Sequence, residues 1–368
     1  MRDVLILGAY GNFGKRIAEG LVVTGVPLML GGRNPAKLDE LAAFLRKLRP
    51  CALVKTVTID ADSDRELDCS LARLRPCVVV NTCGPFQSKD YRVAAACIRN
   101  GVNYVDLADG REFVRDFGSL DESAKREGVT VVSGASTVPG LSSAVIEHFR
   151  PRYASIDEIV HGISPGQRAE RGLATTRAIF SYVGKPIEVA APHEPARYGW
   201  QDAYRQDYPV LGARWVANCD VPDLDLFPRH YGIATVRFSA GVESCTLFWS
   251  TWLIAWLIRQ GVPLKPARHA KMLLGLASLF DQFGSDDGGM HVILRGEGHD
   301  GKPLECRWFI VARQGEGPRI PTVPAIVLAR KLASGHPLAH GAMPCVGLVT
   351  LAEYLAELGS FPITTFEC

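Results

Sequence analysis

The sequence predicts an α/β fold with an N-terminal doubly wound parallel sheet, combined with a second domain of the α+β class. Three observations predict it. Short apolar runs alternate with amphipathic helical segments over the first 135 residues, as they do in βαβ units. A glycine-rich turn joins the first apolar run to the first helical segment. After Ser136 the alternation gives way to strand-like pieces separated by long Gly/Pro-rich loops.

In the first domain, residues 1–135, each predicted strand is a continuous apolar run, which is typical of a parallel sheet covered by helices on both faces. The predicted strands are 4–7, 27–30, 54–59, 78–81, 103–107 and 129–133. The predicted helices are 15–24, 35–48, 92–100 and 113–127. This order of elements predicts a Rossmann sheet.

The second domain, residues 136–320, mixes strands and helices without regular alternation. Its long loops include the Gly/Pro-rich stretches 164–166 and 191–195. Two alternating strands flank an Asp-Gly dipeptide, which is a signal for a hairpin turn. The predicted elements are the strands 290–296 and 304–312, the helices 244–260 and 266–283, and, in the C-terminal segment 321–368, the helices 324–334 and 350–358.

Composition excludes several classes of protein. The length of 368 residues suits about two domains. The shares of hydrophobic residues (47%) and charged residues (22%) exclude intrinsic disorder. The 41 basic and 39 acidic side chains leave a net charge of +2, which offers no concentrated basic face to nucleic acid. The 36 glycines exceed the average share of about 7% and indicate many tight loops.

The cysteines and the apolar segments predict a cytoplasmic protein without a membrane span. None of the ten cysteines forms a C-x-x-C pair, so neither a zinc ribbon nor a thioredoxin motif is indicated. The first apolar run is too short for a signal peptide. The longest, 245–258, has fourteen residues, whereas a spanning helix needs about 20. We interpret it as a buried helix, with a membrane-surface helix as the alternative.

Residues 8–14 predict the phosphate-binding turn of a dinucleotide cofactor. They follow a strand and open a helix, so backbone N–H groups and the positive end of the helix dipole face one point. The spacing is G-x-x-G-x-x-G, so the middle glycine takes over the close-approach role of the second glycine in G-x-G-x-x-G. The residues expected at the cofactor are Gly8, Tyr10, Gly11, Asn12, Phe13 and Gly14. The alternative is a purely structural turn.

The end of the second strand predicts NADP(H) rather than NAD(H). NAD enzymes place a carboxylate there to hold the ribose 2′-hydroxyl. This chain has Arg33 and Asn34, with Lys37 one turn later. Between the end of the second strand and Asp39 there is no Asp or Glu. The guanidinium of an arginine is suited to binding a 2′-phosphate. The alternative for Arg33 is a solvated side chain. Asp60, after the third strand, either contacts adenine or caps the next helix.

The loop after the fourth strand is expected to border the ribose and the nicotinamide, because ligands of such sheets lie outside the carboxyl ends of the strands. This loop contains Cys83, Gly84, Pro85 and Phe86. Cys83 either lies close to the nicotinamide ring or is a packed thiol.

Two further loops at this edge of the sheet carry polar residues. Asp106 and Asp109 follow the fifth strand, and Arg111 comes next. The two carboxylates either orient a substrate and relay a proton, or they cap the following helix and form an ion pair. Arg111 is expected to contact an anionic group. Ser136 lies in the small-residue loop 133–143, which allows the backbone to approach a ligand closely.

Together these loops resemble the saccharopine dehydrogenase-like oxidoreductases. The resemblance rests on residues 8–14, 32–33, 81–86, 104–106, 134–140, 181–186, 283–290 and 341–347. It implies a Rossmann domain with an inserted substrate domain, NADP(H), hydride transfer to or from a carbon–nitrogen bond, frequent homodimers, and a C-terminal segment that returns to the cofactor domain. The chain has no acidic residue just before Pro139, where the lysine-pathway members carry one, so saccharopine is not the expected substrate.

The expected chemistry is hydride transfer, in which the cofactor performs the difficult step and the protein positions it. The Tyr-x-x-x-Lys motif of short-chain dehydrogenases is absent, and no His or Cys cluster indicates a metal. We expect the substrate pocket between the two domains. The candidate catalytic residues are Asp106, Asp109 and Tyr182, and the candidate substrate-binding residues are Arg111, Ser136, Arg177 and Ser181.

Two hypotheses for the function remain. The first is an NADP(H)-dependent oxidoreductase of a small amine, imine or carbonyl substrate, with an enoyl reductase of the same fold as its variant. The second is a non-catalytic protein that binds NADP(H) and responds to redox state. Trp249, Trp252 and Trp256 have helical spacing, and they belong to the core, to a dimer interface or to an apolar substrate wall.

Overall fold

The structure, a computed structural model, describes residues 1–87, 90–170, 172–188 and 196–368. Its strands are β1 (Val4–Leu7), β2 (Leu28–Gly32), β3 (Val54–Thr58), β4 (Val78–Asn81), β5 (Asn103–Asp106), β6 (Thr130–Ser133), β7 (Tyr153–Ser164), β8 (Pro186–Ile187), β9 (Arg197–Tyr198), β10 (Tyr204–Tyr208), β11 (Gly212–Asn218), β12 (Thr235–Gly241), β13 (Gly288–Gly298), β14 (Pro303–Ala312), β15 (Gly341–Pro344) and β16 (Ile363–Glu367). Its α-helices are α1 (Asn12–Val23), α2 (Pro35–Leu48), α3 (Asp64–Leu74), α4 (Arg92–Arg99), α5 (Arg111–Arg115), α6 (Asp121–Arg126), α7 (Ser142–Phe149), α8 (Leu173–Tyr182), α9 (Asp223–Tyr231), α10 (Cys245–Arg259), α11 (Ala270–Ser278), α12 (Val323–Ala333) and α13 (Leu351–Leu358).

The chain divides into two units, each described by itself. The first consists of Met1–Ala144 and Arg319–Glu357, and the second of Val145–Pro318 and Leu358–Cys368. The family resemblance implied that the segment 321–368 returns to the first domain, whereas the structure groups Leu358–Cys368 with the second unit. They belong to the second unit because β16 pairs with β14 there.

The first unit is built on a seven-stranded sheet in the order β15-β6-β5-β4-β1-β2-β3, and all its strand pairs are parallel. The strands β1, β2, β4 and β6 are buried along their entire length, as their continuous apolar runs predict. The strand order reverses between β1 and β4, and such sheets bind ligands beyond the carboxyl ends of the strands at that point. The predicted fold class is confirmed.

Three elements of the first unit differ from the sequence prediction. The predicted helix 113–127 is two short helices, α5 and α6, separated by a turn of 3-10 helix at Asp116–Leu120. The Asp, Gly and Ser residues of this turn favour the α-helix only weakly. The prediction also omitted α3 and β15, because neither contains a long apolar pattern.

The second unit has the predicted α+β class. Its seven-stranded sheet has the order β10-β11-β12-β7-β13-β14-β16, and only the pair of β7 with β12 is parallel. The β13–β14 hairpin contains Gly301 at a φ of +74°, which the Asp-Gly signal predicted. The predicted helix 266–283 contains one regular helix, α11. The predicted loop 191–195 lies outside the described residues.

An aromatic cluster fills the core of the first unit beside β5. Phe117 is fully buried, and its ring centroid lies 5.4 Å from that of Tyr91, 6.1 Å from that of Phe113 and 6.3 Å from that of Tyr104. Phe113 in turn lies 5.5 Å from Phe86, which belongs to the loop after β4. The aromatic cluster therefore packs against the loop that follows the carboxyl end of β4.

We expect Phe117→Ala to lower the free energy of unfolding of the first unit by about 3–5 kcal/mol, because it leaves a cavity that three neighbouring rings cannot fill. Urea denaturation followed by circular dichroism measures the change. Phe44→Ala is the matched control, since Phe44 is 48% exposed on α2, and it should cost less than about 1 kcal/mol. Equal effects of the two substitutions would contradict this account of the core.

Candidate cofactor site

The turn after β1 is held by backbone hydrogen bonds that only small residues permit. The N–H groups of Gly8 and Ala9 both donate to the carbonyl of Gly31, at 3.0 and 3.1 Å, and Gly11 N–H donates to the carbonyl of Gly8 at 2.9 Å. Gly8 has a φ of +75°, and a Cβ there would lie 2.7 Å from Thr82 Oγ1. Glycine is therefore required at this position.

Thr82 joins the turn after β1 to the loop after β4. Its hydroxyl donates to the carbonyl of Leu7 at 2.8 Å and also lies 3.1 Å from the carbonyl of Gly8. Thr82 was not predicted from the sequence as a residue of the site. Its signal was weak, because a threonine after a buried strand is common and its partner lies 75 residues away.

Helix α1 begins directly after the glycine turn 8–11. The N-cap is Gly11, which offers no side-chain cap, and the first turn contains no acidic residue. The N–H groups of Asn12, Phe13 and Gly14 precede the first intrahelical bond, which Lys15 N–H makes to the carbonyl of Gly11. A Cβ on Gly14 would overlap the carbonyl of Gly8. Three donors and the positive end of the helix dipole thus form a site suited to a phosphate.

The end of β2 carries the two cations that the sequence singled out. Arg33 and Lys37 are both exposed, and within the described residues Arg33 makes no hydrogen bond or ion pair. The ammonium of Lys37 lies 5.7 Å from the centroid of the Tyr10 ring. That ring covers Gly32, where a Cβ would lie only 2.6 Å from it. Asn34 caps α2, since its side chain accepts a hydrogen bond from Lys37 N–H at 3.2 Å.

The carboxylates nearest to this strand end have other partners. Asp39 accepts a hydrogen bond from the hydroxyl of Thr56 on β3 at 3.0 Å, and Asp60 accepts one from Asp62 N–H at 3.0 Å. The N-cap of α3 is Ser63 rather than Asp60, and the side chain of Glu66 accepts from Asp60 N–H at 3.1 Å. Asp60 therefore stabilises the turn before α3, and the capping role considered for it belongs to Ser63.

The loop after β4 borders a cavity of about 250 Å³. Cys83 and Phe86 line this cavity together with Asn81 and Tyr104. The side chain of Asn81 accepts from Cys83 N–H at 3.0 Å and donates to the Tyr104 hydroxyl at 3.0 Å, so it fixes the start of the loop. Gly84 and Pro85, which follow, are joined by a cis peptide bond.

Asp106 is fully buried at the end of β5. Its Oδ1 accepts three hydrogen bonds, from Ala108 N–H, Gly134 N–H and the Ser133 hydroxyl, each at 2.9 Å. Its Oδ2 is buried with no hydrogen-bond partner among the described residues. Burial raises the pKa of Asp106 to about 6, against the effect of these donors. The geometry favours the structural alternative for Asp106: it ties the loops after β5 and β6 together.

Asp109 is half-buried and accepts a hydrogen bond from Gln87 Nε2 at 3.0 Å. Burial raises the pKa of Asp109 above its ordinary value, and the bond from Gln87 opposes the shift. The Oε1 atom of Gln87 is buried without a partner among the described residues. Gln87 was not predictable from the sequence, because no local pattern pairs it with a residue 22 positions away. Arg111 is 7% exposed at the start of α5, and Ser136 is half-buried after β6.

The other three candidates lie in the second unit, on α8. Arg177 is exposed, and Ser181 donates its hydroxyl hydrogen bond to the carbonyl of Ala178 at 2.6 Å. The Tyr182 hydroxyl lies 2.8 Å from the Sγ atom of Cys219, and the half-buried ring packs against the apolar cluster around Phe248. Tyr182 therefore has the contacts of a packed tyrosine.

Comparison with known proteins identifies the first unit. Residues 4–132 match the family model of the saccharopine dehydrogenase NADP binding domain. These residues of the first unit are thus similar to saccharopine dehydrogenase-type NADP-binding domains. The family resemblance and the cofactor, NADP(H), that the sequence predicts are confirmed.

Two known proteins extend the comparison. A probable mitochondrial saccharopine dehydrogenase-like oxidoreductase from Arabidopsis thaliana is 31% identical over 152 residues, which are 37% of this chain and 32% of that protein. The match therefore spans about a third of that relative. Apo saccharopine dehydrogenase (L-Glu forming) from Saccharomyces cerevisiae matches over the full length of both chains with a TM-score of 0.68 and 13% identity, which shows a shared fold.

The residues present fit this cofactor. The glycine turn leaves no Cβ at its closest approach, and the N-terminus of α1 presents free donors without an acidic neighbour. The exposed guanidinium of Arg33 adds a positive charge at the end of β2. Among the described residues, no group of three His, Cys, Asp or Glu side chains is placed to hold a metal ion.

We expect Arg33→Ala to weaken NADPH binding by about tenfold or more, because a charge-assisted pair with a phosphate contributes about 1.5–3 kcal/mol. NADH binding should stay within about twofold. Fluorescence titration with each nucleotide measures both dissociation constants. Arg126→Ala is the matched control, since Arg126 is exposed at the end of α6, before the amino end of β6. Equal losses for NADPH and NADH would refute a 2′-phosphate role for Arg33.

We expect Asp106→Asn to remove a pH dependence of stability. In the folded chain the pKa of Asp106 is about 6, against an ordinary 3.8, so between these pH values the unfolded chain releases a proton that the folded chain keeps. Wild-type stability therefore falls as pH rises through this window and is level above it. The asparagine keeps an acceptor oxygen and does not titrate.

The free energy of unfolding of Asp106→Asn, relative to wild type, should consequently rise by about 2–3 kcal/mol from pH 4 to pH 7. Urea denaturation at each pH measures this difference. Glu122→Gln, at an exposed position on α6, controls for loss of a carboxyl group. Parallel pH profiles for wild type and Asp106→Asn would show that the buried carboxyl titrates normally.

Proposed function

We propose that the protein is an NADP(H)-dependent oxidoreductase that transfers a hydride to or from a small amine, imine or carbonyl substrate. The observation that carries the proposal is the open N-terminus of α1 behind the glycine turn, with the exposed Arg33 at the end of β2. This combination supports a cofactor with a pyrophosphate and a 2′-phosphate. The matching family model and the plant relative's name are consistent with redox chemistry.

The cofactor-binding residues have separate roles in this proposal. Gly8, Gly11 and Gly14 admit the pyrophosphate, and the N–H groups at the start of α1 bind it. Arg33 and Lys37 bind the 2′-phosphate, while the ring of Tyr10 supports Lys37. The loop 83–86 and Asp60 contribute the remaining contacts. Bound NADP(H) supplies or accepts the hydride.

We assign proton handling to Asp109 and a positioning role to Asp106. Asp109 is half-buried and has a raised pKa, so its protonated form persists closer to neutral pH than that of an ordinary carboxyl group, as a proton donor requires. Asp106 holds the loops after β5 and β6 by three hydrogen bonds. Arg111 and Ser136 are proposed to bind the substrate.

The second unit is proposed to supply the other substrate contacts, through Arg177, Ser181 and Tyr182. Tyr182 is the weakest of these assignments, because its hydroxyl already contacts the Cys219 thiol. This contact and the burial of Asp106 favour one second candidate function, a non-catalytic protein that binds NADP(H) and responds to redox state. Turnover separates the two functions.

Two further features belong to the proposal. We infer a homodimer, as the family resemblance implies. A cytoplasmic location is also inferred, although the plant relative is described as a probable mitochondrial protein.

The test is NADPH oxidation against keto acid–amine pairs, aldehydes, ketones and enoyl compounds. At least one substrate should be turned over, and Asp109→Asn should lower kcat by about 100-fold or more while leaving NADPH affinity unchanged. The asparagine can still accept the bond from Gln87, so the loop should keep its position. Glu122→Gln is the matched control and should retain full kcat.

The outcomes are distinct. Turnover of enoyl compounds alone would identify the enoyl reductase variant of this function. NADPH binding without turnover of any substrate class would support the redox-responsive protein instead. Full kcat in Asp109→Asn would refute the assignment of proton handling to that residue.

A further inference from the structure

Two helices of the second unit expose apolar side chains to an unusual degree. On α10, Trp249, Leu253 and Trp256 are 39, 50 and 41% exposed, and on α11, Met272, Leu276 and Leu279, the last at its C-terminal end, are 58, 51 and 65% exposed. We call these six side chains the apolar patch. Isolated exposed apolar residues are common, whereas exposed stripes mark interaction sites.

The spacing shows that the exposure is organised. In each helix the three residues stand at positions i, i+4 and i+7, which form one face. Only Phe248 and Ala255 of the fifteen residues of α10 are buried. Helix α10 is therefore predominantly apolar but buries only a narrow face against the rest of the second unit.

Both helices rest on the same support. Phe248 and Ala255 of α10 belong to an apolar cluster against which Ile179 and Phe180 of α8 pack, and α11 also packs on α8. The ring of Trp249 contacts those of Trp215 and Trp252, at 5.0 and 5.6 Å between centroids. These ring contacts hold the exposed side chain of Trp249 in place on the surface of the second unit.

Along α10, α11 and the loop between them, all the charged side chains are basic. Between Glu243 and Asp281 the sequence contains no Asp or Glu. The same stretch contains four Lys and Arg side chains, all exposed, namely Arg259, Lys265, Arg268 and Lys271. Arg259 is the last residue of α10, and Lys271 lies in the first turn of α11. Lys265 and Arg268 lie in the segment between the two helices.

We propose that the apolar patch and these four cations dock onto the surface of an anionic phospholipid bilayer, with α10 and α11 lying in the interface. Exposed Trp and Leu on one face with Lys and Arg beside it are the features of interfacial helices. No helix among the described residues has the length and apolarity that crossing a membrane requires, so the contact is with one leaflet.

A second copy of the chain fits this surface less well. A symmetric pairing through the patch would bring two sets of four cations together without an acidic residue from this stretch to neutralise them. An anionic leaflet neutralises all four. The proposal does not depend on the proposed redox function, since the glycine turn and Arg33 belong to the other unit.

Vesicle flotation of the full chain tests the proposal. We expect binding to vesicles with 30% phosphatidylserine in phosphatidylcholine, weaker binding to pure phosphatidylcholine, and a loss of binding with added salt. Leu253→Glu with Leu276→Glu should reduce partitioning by about tenfold or more, as should Lys265→Glu with Lys271→Glu. Lipids brominated along the acyl chain should quench the fluorescence of Trp249 and Trp256.

The matched control is Leu53→Glu, because Leu53 is 68% exposed in the first unit. It should bind vesicles as wild type does. Circular dichroism and urea denaturation of every variant check folding independently of lipid. Absence of vesicle binding at any lipid composition would overturn the proposal. So would a dimer that the Leu253 and Leu276 substitutions convert to monomer, in sedimentation velocity, without any change in vesicle binding.

Discussion

The close approach of two backbone turns determines the geometry of the cofactor site. Gly8 lies where β1 and β4 diverge, so that a single Cβ there would overlap the Thr82 hydroxyl. Gly14 packs on the carbonyl of Gly8 in the same manner. The first turn of α1 therefore lies close to the carboxyl end of β1, at the point where the strand order reverses between β1 and β4. Larger side chains at either glycine would displace the helix from this position.

A second layer of contacts holds the neighbouring loops against this turn. Asp106 bridges β5 to the loop after β6, Asn81 bridges β4 to Tyr104, and Gln87 bridges the loop after β4 to Asp109. Each bridge crosses from one strand end to the next. The carboxyl edge of the sheet is consequently a connected row of polar contacts, and the aromatic cluster around Phe117 supports it from the interior.

Much of the first unit was predictable because its information is local. Continuous apolar runs define strands buried on both faces, and the glycine turn and Arg33 lie within a few residues of the elements that position them. The strand β15 was missed because Gly341–Pro344 has no apolar run of its own, and it becomes a strand by pairing with β6. Helix α3 was missed because it is mostly polar and buries only three residues.

The polar partners of the site were not predictable for a different reason. Thr82, Gln87 and two of the three donors to Asp106, Ser133 and Gly134, act across sequence separations of 22 to 75 residues, and a single sequence does not pair them. The two readings of Asp106 could only be weighed once its burial was visible. In the second unit, the helical spacing of the tryptophans was visible in the sequence, but the exposure of two of them was not.

The discontinuity of both units has a consequence for biosynthesis. β15 pairs with β6 at the edge of the first sheet, and β16 pairs with β14 at the edge of the second sheet. Both β15 and β16 come later in the sequence than all the other strands. During synthesis from the N-terminus, β6 and β14 are therefore edge strands until β15 and β16 have been synthesised. Exposed strand edges recruit other strands. Because β6 is buried along its entire length in the folded chain, exposure of its edge favours aggregation of the nascent chain, and deletion of β15 or β16 would leave β6 or β14 as an edge strand again.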